Sequence, residues 1–184
     1  MSFEGAPIEP DVWHAYEEGG GFILDGTLAF QRSLTRRGYD YWRDLRGDAA
    51  GPRKSDLDPA SIVPLLPYVV LIDIIRDANG ARDYRVRLMG TVAAANHGDG
   101  TGMLVSSHLS GKPLYRIRGA IDHVARHGRP VRLASVSGYE NREWLNGEGF
   151  YAPLLSEAGG LDHVFIVADI WSSAAPVNAA PDEG

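Results

Sequence analysis

Four pieces of the chain decide how it is read: YDYWRDLRG at 39–47, PRKSDLDP at 52–59, LLPYVVLIDII at 65–75 and YRVRLMGT at 84–91. In the first, Leu34, Gly38, Tyr41, Trp42 and Leu45 recur at spacings of three to four, which predicts one amphipathic helix over about 27–45, closed by Gly47. In the second, Asp58 is a good N-cap and Pro59 suits the first helical position. Pro64 and Pro67 then limit that helix to a turn or two. The third piece is a continuous β-branched run ending in Asp77–Gly80, a turn composition, and reads as a central strand. The fourth alternates Tyr84, Val86 and Leu88 with Asp83, Arg85 and Arg87, so it reads as a strand with one buried and one wet face. The short connection makes these strands an antiparallel hairpin over 68–90.

Upstream, residues 1–26 carry Gly19, Gly20 and Gly21, several acids and the isolated Trp13 and Phe22, the pattern of a flexible N-terminal arm. Downstream, Thr91–His97 suits a helical turn and Gly98, Gly100 and Gly102 a flexible loop. A stripe of Leu114, Ile117, Ile121 and Val124 predicts a helix over 112–127 that covers a sheet, with Gly128 as its stop. Strands are expected at about 130–138, 143–155 and 161–171. The tail 172–184, SSAAPVNAAPDEG from Ser172, has the composition of disorder. The result is one α+β domain over 27–171, in the order β-β-(helices)-β-β-β.

Composition narrows the function. With 184 residues the chain holds one ordinary domain. It has no apolar run of the ~18 residues a membrane span needs and no secretory signal, which points to a cytoplasmic protein. It contains no cysteine, so thiolate nucleophiles, disulfides and thiolate metal sites are excluded. The net charge of -6 argues against a nucleic-acid partner. Arg32, Arg36, Arg37, Arg43 and Arg46 cluster on the first helix, yet Asp40 and Asp44 stand among them at ion-pair spacing, as on a solvated face.

These pieces together resemble the single-domain bacterial PAS proteins. That family's signature runs as a tyrosine-tryptophan helix, an R-x-D-x-D-P turn, a leucine-leucine-proline step and an R-x-R-L-x-G-T strand. Later segments, Phe150–Ser156 and Val164–Ile170, resemble the family's final hairpin. The resemblance covers about 28–171 and implies a PAS-like five-stranded antiparallel sheet covered by helices on one face, with an N-terminal helical extension. It implies a non-enzymatic sensory or regulatory domain that binds a small ligand or a signalling protein partner, and a homodimer formed through the helix at 27–45. One departure stands at Asn96–Gly102, which keeps Thr101-Gly102 but has Asn or His where the family has an aromatic. Without cysteine, the family's cysteinyl-flavin and thioester chromophore chemistries are unavailable.

Several residue sets invite chemistry. His123 and His127 stand i, i+4 on a helix, as metal ligands do, and the same helix carries the haem ligand of oxygen-sensing PAS proteins. The apolar stripe turns both away from the sheet, so they read as a surface His123 and a His127 at the helix C-terminus, and haem is not expected. Asn96, His97 and Asp99 suit either a polar rim around a ligand or simply a turn. Asp73 and Asp169 are acids within apolar strands and suit a polar patch or a solvent face. A small cone-shaped α+β enzyme of the ketosteroid-isomerase type, using Asp73, Tyr84, His97 or Asp169 for acid-base work, is the rival reading, and a purely structural dimerisation module is another. A ligand is expected between the sheet and the helices at 91–127, against Leu88, Met89, Val92, Asn96, His97, Ile117 and Ile121. Leu88, continuing the phase of Tyr84 and Val86, is expected to point inward in preference to Met89.

Overall fold

The computed structural model describes residues 7–9, 12–15, 21–78, 80, 82–136 and 145–172. Its strands are β1 (Pro7–Glu9), β2 (Val12–Ala15), β3 (Phe22–Asp25), β4 (Val69–Arg76), β5 (Arg82–Met89), β6 (Val131–Val136), β7 (Leu145–Leu155) and β8 (Leu161–Ser172). Its α-helices are α1 (Ser33–Arg46), α2 (Thr91–His97), α3 (Val105–His108) and α4 (Gly111–His127). All strands join one antiparallel sheet in the order β1-β2-β3-β6-β7-β8-β4-β5. The expected five strands are its β6-β7-β8-β4-β5 part, with α2, α3 and α4 inserted between β5 and β6. The tail beyond Ser172 lies outside the described residues.

The segment read as a loose arm instead supplies β1, β2 and β3, which extend the sheet from the edge of β6. Phe22 and Leu24 are buried in the core that α4 covers, so the extension is held by apolar burial as well as by strand pairing. Isolated aromatics in a glycine-rich stretch carry too little periodicity to announce such strands. Their stability comes from an edge far away in sequence.

Side chains of the sheet alternate between two cores. The inner face, under α2–α4, presents Val70, Ile72, Ile74, Tyr84, Val86, Val164 and Ile166. On the outer face Phe150, Ala152, Leu154, Phe165 and Val167 meet Trp42 of α1. Trp42 is 2% exposed and donates its indole N–H to the Pro153 carbonyl at 2.9 Å. At Gly38 the helix comes so close that a Cβ would stand 2.6 Å from Val167. Of the α1 stripe, Gly38 and Trp42 are buried against the chain's own sheet, and Leu34 and Tyr41 pack partly on it. Sequence periodicity marks a face for burial and does not say what buries it.

The start of α1 is tied down by charge. Glu148, 2% exposed, accepts hydrogen bonds from the Gln31 and Arg32 backbone N–H groups at 3.0 Å each, and from the Thr35 hydroxyl. Arg132 donates to Glu148 at 3.0 Å and to Asp25 at 2.9 Å, bridging β7 and β3. Burial alone would raise the Asp25 pKa, but the bonds from Thr27, Arg132 and Ala29 hold it below the usual carboxylate value. Asp25, Arg132 and Glu148 are thus paired with one another, which is what makes their burial tolerable.

The leucine-leucine-proline step also has a geometric reason. Asp58 caps the Pro59–Ile62 turn by accepting the Ala60 N–H at 3.0 Å. The chain then passes so close to the end of β5 that a Cβ on Gly90 would lie 2.3 Å from the Leu66 carbonyl oxygen. Only glycine fits there.

Candidate functional site

The inner face is not filled to its end. Toward one end of β7 and β8 the inward positions are Gly147, Gly149 and Ala168, and the space they leave is a cavity beneath α2, α3 and α4. A glycine in a strand interior often marks a close approach. Here the Tyr151 ring stands over Gly149, 2.6 Å from where a Cβ would lie, and a Cβ on Gly147 would meet the Ser135 hydroxyl at 3.0 Å and the Asp169 carbonyl oxygen at 4.0 Å.

The larger chamber measures about 60 Å³. On that measure one water needs about 10–15 Å³, so the space suits a ligand of several heavy atoms. Its walls are mainly aliphatic: Val70, Ile72, Val86 and Met89 from the hairpin, Ile166 and Ile170 from β8, and Val105 and Ile117 from the helices. The polar wall is made by Asn96 and His97 at the end of α2 and His108 at the end of α3. Asn96 donates its amide N–H to the Val92 carbonyl at 2.9 Å, which orients the side chain. Burial, aided by His108 nearby, pushes the His97 pKa down to about 4, so its imidazole is neutral at pH 7. The buried Nε2 of His108 has no hydrogen-bond partner among the described residues.

A second chamber of about 50 Å³ adjoins the first and shares His97, Ile117, Tyr151, Ala168 and Ile170 with it. Its own walls include Arg116 of α4, Ser135 of β6, and Gly147 and Gly149. Arg116 is 5% exposed.

Of the seven residues expected around a ligand, Met89, Val92, Asn96, His97 and Ile117 come together in this wall. Leu88 does not: it is 42% exposed, and Met89 takes the inward position. The cause is a β-bulge, since Leu71 pairs with Leu88 but Ile72 pairs with Val86, leaving Arg87 as an extra residue that inverts the alternation. Ile121 is 0% exposed and belongs to the packed core below the chamber. Strand alternation cannot foresee a bulge, and helical periodicity cannot tell a core position from a cavity position. The residues that the sequence reading missed, above all Gly147, Gly149, Ala168 and Arg116, had one visible signal, the two glycines inside NGEGF.

The loop after α2 is held against the sheet edge. Gly102 donates to the Val86 carbonyl at 2.7 Å, Val86 donates to the Met103 carbonyl at 2.9 Å, and Arg85 bridges to Leu104. Asp99 accepts the Thr101 N–H at 3.0 Å in a turn on the exposed side. So Asn96 and His97 line the cavity while Asp99 serves the turn.

The other candidates lie elsewhere. His123 is 7% exposed, against the expected surface position, because the Trp13 ring of β2 packs on it at 4.6 Å while His127 packs on it from the helix, also at 4.6 Å. The extra strands bury a side of α4 that a five-stranded sheet would leave wet. Burial, with His127 adjacent, pushes the His123 pKa down to about 4. Asp73 meets His163 at 2.8 Å and Arg87 at 3.6 Å on the outer side, and Asp169 pairs with Arg32 at 2.7 Å. Tyr84 donates its hydroxyl to Asp122 within the core, and burial followed by that bond raises its pKa. From His163, the strand partner of Asp73, to Asp169 is six residues of β8, about 20 Å at ~3.3 Å per residue. Asp73 and Asp169 of the acid-base reading therefore do not converge, and Tyr84 is bonded to Asp122 in the core. Among the described residues no group of His, Asp and Glu side chains forms a metal site, and no helix is long and apolar enough to cross a membrane.

Comparison with known protein families matches residues 30–167 to the PAS domain. No curated protein and no solved structure matches the chain.

Proposed function

The chain belongs to the PAS domain family, and from that premise we propose that it is a sensory or regulatory domain that binds a small, largely apolar ligand between its sheet and α2–α4. The observation that carries this reading is the cavity itself, aliphatic over most of its wall with Asn96, His97 and His108 on one side. A mostly apolar enclosure with a few placed polar groups is the usual make-up of a small-molecule site. A purely structural module has no need of such a space, because a void forfeits packing energy.

Occupancy would act through the helical cover. The loop carrying Gly98–Gly102 connects α2 to α3 and is bonded to the edge strand β5, so a ligand pressing on His97 or His108 bears on the surface of the hairpin. The signal then passes to a protein partner by association. Haem is not the expected occupant: His123 packs between Trp13 and His127, and neither histidine is in the cavity wall.

Native mass spectrometry of the purified protein with an ultraviolet-visible scan tests the reading, with Ala168→Leu as the variant that fills the cavity. The expected result is an added small mass, or binding of added apolar compounds, in the unaltered chain and its loss in the variant. Equal binding by both proteins, or binding by neither, would overturn the site.

A further inference from the structure

Resting on the ligand-binding reading above, we infer that the larger chamber is a site for a small uncharged aliphatic alcohol. Its chain lies against Ile72, Val86 and Ile166, and its hydroxyl bonds the Nε2 atom of His108.

The wall decides the charge of the ligand. Among the described residues it contains no Asp, Glu, Lys or Arg side chain, so an ionic group in this chamber loses its water and gains no opposite charge in exchange. Burial, followed by His108 nearby, holds the His97 pKa at about 4, so that imidazole brings no charge at pH 7 either. Charged side chains stand in the wall of the adjoining chamber instead, as Arg116, Glu148 and Asp169.

The polar anchor is His108, the last residue of α3, whose ring forms part of the same wall. Its Nε2 is buried and has no hydrogen-bond partner among the described residues. Leaving a buried polar atom unanswered is costly, and a ligand that answers it regains that cost. The ring is backed by the loop after α2: a Cβ on Gly100 would lie 2.5 Å from it and one on Gly98 3.6 Å. The absence of side chains at these two glycines is what lets the imidazole sit between the loop and the chamber.

The tautomer then selects the polar group. Nε2 donates in one neutral tautomer and accepts in the other, and a hydroxyl, which does both, answers either. An ether or ketone answers only one, and a hydrocarbon answers neither. An amine or a carboxylic acid of ordinary pKa is charged at pH 7 and meets the aliphatic wall as an ion.

Isothermal titration calorimetry with 1-hexanol, sodium hexanoate and hexylammonium chloride, three probes with one chain in common, tests this. Hexanol is expected to bind at least about tenfold more tightly than either ion, because only the ions carry an uncompensated charge into the chamber. His108→Phe keeps a ring against Gly98 and Gly100 and removes the nitrogen, so it should weaken hexanol binding about three- to tenfold, the worth of one neutral hydrogen bond. In the unaltered protein the nitrogen-15 resonance of His108 Nε2 should shift as hexanol saturates the site, a measurement that needs no variant to fold. Binding of either ion within that tenfold margin overturns the uncharged assignment and leaves the apolar cavity standing. An Nε2 resonance that does not move, or a loss below about twofold in a folded His108→Phe variant, overturns the role of His108. Failure of all three probes to bind overturns the inference together with the ligand-binding reading.

Discussion

The two faces of the sheet are built from the same strands and are packed in opposite ways. On the outer face Phe150 lies edge-on to Trp42, Tyr39 and Phe165 at ring separations of 5.7–6.4 Å, and α1 comes down onto Val167 at a glycine. On the inner face the corresponding stretch of β7 and β8 offers Gly147, Gly149 and Ala168 to a pair of chambers. Alternation places these residues one step apart along a strand, so aromatic and empty positions share a backbone. Large side chains fill one face of the sheet, and small ones on the other leave a cavity.

The sharpest test of the contrast is to remove the centre of the packed face. Trp42→Ala should destabilise the fold by about 3–5 kcal/mol, since it leaves a cavity among aromatics and abandons the Pro153 carbonyl. Urea unfolding measures it, and a loss below about 1 kcal/mol would break the picture of α1 as an integral layer.

Adding volume should separate the faces next. Gly38→Val forces a Cβ into Val167 and should cost about 1–3 kcal/mol, whereas Ala168→Val enters open space and should be neutral or stabilise by up to about 1 kcal/mol. Equal losses in thermal melts would mean that the inner face is as tightly filled as the outer.

A smaller effect comes from pH. His97 and His123, both on the inner side, have folded-state pKa values of about 4, below the ordinary value of 6.5. A lowered folded-state value means that the unfolded chain takes up protons first. The stability these neutral imidazoles contribute is complete above about pH 6.5 and is lost as pH falls toward about 4. His123→Phe should flatten the decline in melting temperature across that window. A decline of unchanged slope in the variant would show that His123 is not buried by Trp13.

The least effect should come from the bulge. Leu88→Ser removes a side chain 42% exposed and should change stability by no more than about 0.5 kcal/mol. Met89→Ser, facing the chamber, should weaken binding of apolar compounds. The reverse pattern would place the bulge elsewhere.

Much of the fold was legible in residues. The hairpin at 68–90 followed from a β-branched run and an alternating strand, the cap at Asp58 from its proline neighbour, and the covering helix from Leu114, Ile117, Ile121 and Val124, all local patterns read against one period. The site was legible only in part. Met89, Val92, Asn96 and His97 could be placed near one another because they flank the strand-helix junction, and Ile117 because the apolar stripe of α4 faces the sheet. Arg116 could not, since it meets residues of β6, β7 and β8 that are distant from it in sequence.

By itself the sequence determined the family, the order of the central strands and helices, and which faces seek burial, because propensity and periodicity are properties of neighbouring residues. The tertiary structure alone decided three things. The N-terminal segment extends the sheet, Trp42 of α1 is covered by its own chain, and the Arg87 bulge exchanges Leu88 for Met89 in the cavity wall. Each depends on contacts between residues distant in sequence, where the partner and not the local pattern sets which side chain is buried.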